Sequence, residues 1–128
     1  MKSLKLETLK DIFSICRLSP DEEIPSWALA KNSFFSITKT EEELSIVCKK
    51  SAVPTGLKYE TDWRCLKVMG PLDFSLTGIL LIIAEPLAKA QISIFSISTF
   101  DTDYVLVRET QFLNACEALS RAGHQIIK

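Results

Sequence analysis

Histidine is almost missing from this chain: of 128 residues only His124 is one, and no Cys-x-x-Cys pair occurs. Zinc sites need clustered nitrogen and sulfur ligands, so this scarcity argues against a metal centre. The four cysteines, Cys16, Cys48, Cys65 and Cys116, stand apart among apolar neighbours and read as buried, reduced thiols. Glycine and proline are also few, at 4 and 5 residues, which leaves little room for a long disordered stretch. Basic residues are scattered and the net charge is −1, so no basic patch invites nucleic acid. The longest apolar run, Ile79 to Ala84, is too short to span a bilayer. The start, Met1 to Lys5, lacks the apolar core of a secretion signal. The expectation is a cytoplasmic protein with no membrane and no nucleic-acid partner.

What the chain does have is an internal echo. Ser33-Phe34-Phe35-Ser36-Ile37 returns sixty residues later as Ser93-Ile94-Phe95-Ser96-Ile97. Further along, Val47 matches Val107, and Ile46 and Glu43 become Leu106 and Asp103. A repeat of this kind predicts one structural unit used twice, with a ligand seam between units.

Alternation of apolar and polar residues predicts strands over 4–9, 12–18, 34–38, 44–49, 63–69, 92–99, 103–108 and 124–127. His124 reads as a strand-edge residue. Leu76, Ile79, Leu80, Ile83 and Leu87 recur at helical spacing, which predicts a helix from about Ser75 to Ala90. Pro86 falls inside it and should bend or restart it. A second helix is predicted over 110–122, with Phe112, Leu113, Cys116 and Leu119 on one face and Gly123 as its stop. The second half thus runs strand, helix, strand, strand, helix, strand. The first half keeps that order with its helices cut down, the first to the Trp27 region. The fold class is α+β: two ferredoxin-like (βαββαβ) units in one compact body. The expected divisions are 1–50 for the shortened first unit, 51–62 for a linker and 63–128 for the second unit.

Polar groups gather in three unusual settings. Gly70 to Gly78 joins a strand to a helix start, where free N–H groups favour an anion; Asp73 or Ser75 can cap the helix. Gly78, read in the first helical turn, suggests a close approach of backbone or ligand. The competing reading is a capped helix packed tightly on the sheet. Ser98 to Asp103 crowds hydroxyls and carboxylates between two strands. Asp101 and Thr102 suit a turn, but Asp103 opens a strand, where Asp is disfavoured. Its carboxylate either grips a cationic group or bonds nearby backbone N–H groups. The third setting, Thr38 to Glu43, reads as a solvated turn. No nucleophile has a positioned base, and no Gly-rich phosphate loop is present. No catalytic residue, metal or cofactor is therefore expected.

Gly70-Pro-Leu-Asp-Phe-Ser-Leu-Thr-Gly-Ile-Leu80, Glu85-Pro-Leu-Ala88, Ile97 to Val107 and Ala122-Gly-His124 together resemble the small tandem ACT-domain proteins of bacteria. Cys16-Arg17-Leu18, Pro25-Ser26-Trp27, Glu43 to Cys48 and Val53-Pro54 are similar to that family's first unit. The resemblance implies a non-enzymatic regulatory module that binds an amino acid or similar small metabolite where ACT units meet. It places the ligand against Asp73, Phe74, Ser75, Leu76, Thr77, Gly78 and Ile79, and against Ser98, Thr99, Phe100 and Asp103. By that likeness the first segment takes the α-carboxylate, Thr99 and Phe100 line the pocket, and Asp103 meets a cationic group. The alternative is an interaction module without ligand, pairing through sheet edges such as Leu4 to Leu9 or Leu44 to Lys49. A homodimer through ACT sheet edges or helices is the accompanying expectation.

Overall fold

A computed structural model describes residues 3–69 and 78–128. Its strands are β1 (Lys5–Thr8), β2 (Phe13–Leu18), β3 (Ser36–Lys39), β4 (Leu44–Lys49), β5 (Lys58–Val68), β6 (Ile94–Ser98), β7 (Asp103–Arg108) and β8 (Gln125–Ile127). Its helices are α1 (Ile79–Lys89) and α2 (Phe112–Arg121), with 3-10 turns at Ser26–Ala28, Lys50–Ala52 and Glu109–Gln111. Among the described residues, no helix is long and apolar enough to cross a membrane.

The contacts divide the chain differently from the expected boundaries. One unit is Asp11–Trp63; the other joins Met1–Lys10 to Arg64–Lys128. The N-terminal strand is the reason. β1 pairs antiparallel with the end of β5 (Leu6↔Val68) and parallel with β8 (Leu6↔Ile126). Nor is 51–62 simply a linker, because β5 already begins at Lys58. The stretch Lys58-Tyr-Glu-Thr-Asp-Trp63 alternates charged residues with strong strand formers.

The Asp11–Trp63 unit has the strand order β3-β4-β2-β5, using the first half of β5. Its core is Cys16, Leu18, Ala28, Leu44, Ile46 and Cys48, with Trp27 and Val53 packed against it. The two helices of the fold are here reduced to 3-10 turns, as the short spacing in the sequence predicts. The pairing of β2 with β5 slips after Phe13, which faces Trp63 while Ser14 faces Thr61. Asp62 is the extra residue, with φ +69°, a bulge of the kind that bends a strand. Lys50 Nζ reaches its carboxylate at 2.7 Å.

The other unit follows the predicted order β5-α1-β6-β7-α2-β8, with β1 added beside β5. Leu6, Leu66, Val68, Val105 and Val107 from the strands meet Ile79, Ile83, Leu87, Phe112, Ala115 and Leu119 from the helices. α1 runs through Pro86 as one helix and does not restart there. After α2, Gly123 with φ +99° lets the chain turn back so that the His124 N–H reaches the Leu119 carbonyl. One facing prediction is corrected: Leu113 is exposed, at 77%, and Ala115 takes its place in the core.

A second correction concerns the edges. β1 lies between β5 and β8, and β4 between β2 and β3, so neither strand is a free edge. Among the described residues the edges are β3, β6 and β8.

Candidate functional site

The two copies of the repeat form equivalent hairpins, β3-β4 and β6-β7, but their equivalence is shifted. In β3-β4, Lys39 faces Leu44 and Ser36 faces Val47; in β6-β7, Ser98 faces Asp103 and Phe95 faces Leu106. The hairpins therefore superpose with an offset of one residue less than the sequence echo. Asp103 matches Leu44, not Glu43. Leu44, Ile46 and Cys48 point into one core; Val105 and Val107 point into the other. Residues two apart on a strand share a face, so Asp103 shares the core-directed face of β7. Where the first copy buries a leucine completely, the second carries a carboxylate.

Ser98 orients that carboxylate. Its hydroxyl donates to Asp103 Oδ1 at 2.5 Å across the hairpin. Asp103 is half-buried, and its other carboxylate oxygen has no hydrogen-bond partner among the described residues. The backbone bonds weighed as its alternative role are absent among those residues.

The connection between Ser98 and Asp103 is locked by its own hydroxyls. The Thr99 N–H donates to the Thr102 carbonyl at 2.8 Å, and Thr99 Oγ1 exchanges bonds with the Thr102 carbonyl and N–H. Thr102 Oγ1 is buried and donates to the Val68 carbonyl at 2.7 Å, pinning the turn to the end of β5. Phe100 is left at the tip, 81% exposed. In sequence Thr102 looks like an ordinary turn residue, and no local signal distinguishes it. A Thr102→Val substitution should cost about 1–2 kcal/mol, because it removes a buried bond to a carbonyl. Thr102→Ser should restore most of that loss in urea unfolding.

Of the first expected segment, Asp73, Phe74, Ser75, Leu76 and Thr77 lie outside the described residues. Gly78 stands just before α1 with φ +75°, so it caps the helix and is not in its first turn. Among the described residues, a Cβ added there would meet nothing within 4 Å. The positive φ alone calls for glycine at this position. Gly78→Ala should destabilise the protein by about 1–2 kcal/mol in urea unfolding. Ile79 turns its side chain into the core, which leaves only its backbone available to a ligand. The N–H groups of a first helical turn lack acceptors within the helix and carry its positive dipole end.

The histidine and three of the four cysteines are buried. His124 is buried and its Nδ1 accepts the Leu4 N–H at 3.1 Å, tying the start of β8 to β1. Cys16 and Cys48 share a face of adjacent strands, and a hydrogen bond between them plus burial raises the Cys16 thiol far above the ordinary range. Burial pushes the Cys65 thiol up to about 12. All four thiols are free. Among the described residues, no group of three His, Cys, Asp or Glu could hold a metal ion.

The family model described as an ACT domain matches residues 58–121, which cover β5, α1, β6, β7 and α2. This chain belongs to the ACT-domain family. A second model, described as an N-terminal domain, matches residues 11–56. The human protein called cytosolic arginine sensor for mTORC1 subunit 1 is 33% identical over 126 residues, covering 89% of this chain and 37% of its own length. Its Bos taurus counterpart is 35% identical over 116 residues, covering 80% and 34%. The chain thus spans about a third of the length of these curated relatives. A crystal structure of a protein from Agobacterium tumefaciens is 40% identical with a TM-score of 0.93, covering 99% of this chain and 94% of that one. The regulatory subunit of aspartate kinase from Thermus thermophilus has a TM-score of 0.65 at 14% identity, over 95% and 99% of the two chains, a likeness of fold alone.

Proposed function

We propose that this chain is a non-enzymatic regulatory module that binds an amino acid, held by its second ACT unit where that unit meets another. The observation that carries this reading is Asp103, a carboxylate on the core-directed face of β7 with one oxygen uncommitted among the described residues. Its equivalent in the first copy is the buried Leu44. A carboxylate oxygen without a partner among the described residues is an acceptor for a ligand ammonium or guanidinium. Phe100 adds an exposed ring beside it, whose face attracts ammonium or guanidinium groups. The helix start after Gly78 offers positive dipole to the ligand's α-carboxylate, with Asp73 to Thr77 as the accompanying segment. The arginine sensors named above make arginine the first ligand to try.

Ligand would act by population shift, stabilising the arrangement of units in which its pocket is complete. Thermal unfolding against the common amino acids tests the reading. A ligand at a hundred times its Kd adds about 2.7 kcal/mol of stability. A rise in Tm with one or a few amino acids is the expected result; none with any of them at millimolar levels contradicts it.

A further inference from the structure

The unit of Met1–Lys10 with Arg64–Lys128 contains a pocket of about 610 Å³ that the hairpin site does not use. Its walls come from widely separated parts of the chain: Thr8 and Lys10 after β1, Arg64 on β5, Glu109, the start of α2 at Phe112 and Leu113, and Lys128. The volume is that of a metabolite site. Three cationic side chains and one carboxylate line it, so its charge is positive.

Two buried polar atoms in this lining are unmatched. Thr8 Oγ1 and Arg64 Nε are both shielded from solvent with no hydrogen-bond partner among the described residues. Buried donors are normally paired, and each exception wants an explanation. Arg64 is meanwhile held in place: its guanidinium lies 4.4 Å from the centre of the Phe112 ring. That contact holds the guanidinium over the ring and leaves the Nε–H without a hydrogen-bond partner among the described residues. A fixed guanidinium edge with a neighbouring hydroxyl suits the paired oxygens of a carboxylate or phosphate. The positive charge also reaches inward. Burial raises the Cys116 thiol, and the charges of Lys128 and Arg64 pull it back down. Phe112 and Leu113, the latter 77% exposed, give the pocket an apolar side for a short carbon skeleton.

We infer that this pocket binds a small organic oxyanion, with Arg64 and Thr8 gripping its carboxylate or phosphate and Lys10 and Lys128 balancing its charge. The inference is independent of the amino-acid site at Asp103.

Titration calorimetry on the full chain, at constant ionic strength, tests it with two probes: succinate for the carboxylate class and inorganic phosphate for the phosphate class. Saturable millimolar or tighter binding of at least one probe is expected, and which probe binds identifies the class. Arg64→Gln should weaken that binding about tenfold or more. Because Arg64 also packs on Phe112, that variant could lose its fold; circular dichroism reports this. The Lys10→Gln/Lys128→Gln double variant changes only exposed side chains and should weaken binding several-fold with its fold intact. Asp103→Ala should leave it unchanged. Absence of saturable binding by both probes overturns the inference. So does binding that survives both the Arg64→Gln and the double-lysine changes, or that is lost in Asp103→Ala.

Discussion

Replacing Phe13 by alanine should destabilise the protein by about 3–5 kcal/mol and lower its Tm by roughly 10–20 °C. Phe13 is fully buried at the start of β2, between Lys49 of β4 and Trp63 of β5. Its ring meets Phe34 edge-on, with centroids 5.8 Å apart and an interplanar angle of 87°. Truncation removes the transfer energy of a whole ring, leaves a cavity beside a bulge, and forfeits the aromatic pair, itself worth about 0.5–1.5 kcal/mol. The Asp11–Trp63 unit has 3-10 turns in place of helices, so little else can collapse into the gap. Against a total stability of about 5–15 kcal/mol, the loss is a large fraction. Phe100→Ala is the contrasting control. Its ring is exposed at a hairpin tip, so its removal should cost much less than that of Phe13, which is fully buried. Urea unfolding of both variants separates the two roles of phenylalanine in this chain.

The opposite signature is expected at Asp103. Asp103→Ala should cut affinity for a cationic amino acid by about 10- to 150-fold, the loss of one hydrogen bond to a charged group. Stability should hardly fall, because among the described residues its carboxylate is bonded by Ser98 alone, on an exposed hairpin end. Asp103→Asn keeps the shape and the Ser98 contact while removing the charge, so it should bind nearly as poorly as alanine. Ser98→Ala should be milder, since it loosens the carboxylate without deleting it. Calorimetric titration with arginine measures the series. An affinity unchanged in Asp103→Ala would remove this residue from any account of the site.

Much of the fold can be read from periodicity. The α1 stripe of Ile79, Ile83 and Leu87 is buried as its spacing demands, and β7 begins at Asp103 as read. What escaped did so for physical reasons. The first residues of β5 alternate cleanly, but Pro54 and Gly56 just before them draw attention to a linker. Pairing of β1 with β8 joins residues from opposite ends of the chain, and no local pattern encodes it. The repeat was visible, yet its register was not. Identities such as Ser36 with Ser96 align the copies at sixty residues, whereas the hydrogen-bonded hairpins align them one residue short of that. A one-residue slip exchanges the faces of a strand. That slip moves Asp103 from the place of a solvated glutamate to the place of a core leucine. The hairpin residues stand out as candidates from residue types alone, because hydroxyls and carboxylates at a strand start are unusual. The oxyanion pocket was invisible, since Thr8, Arg64 and Lys128 share no stretch of sequence.

The central claim is that Asp103 and its hairpin hold an amino acid. Its most direct test is an NMR titration of the labelled full chain with arginine and the other common amino acids, following each backbone amide. The account predicts saturable shifts concentrated at Ser98 to Asp103 and at Gly78 and Ile79, lost in Asp103→Ala. Saturable binding that moves other amides and leaves the hairpin silent would contradict it, as would no saturable shift with any amino acid.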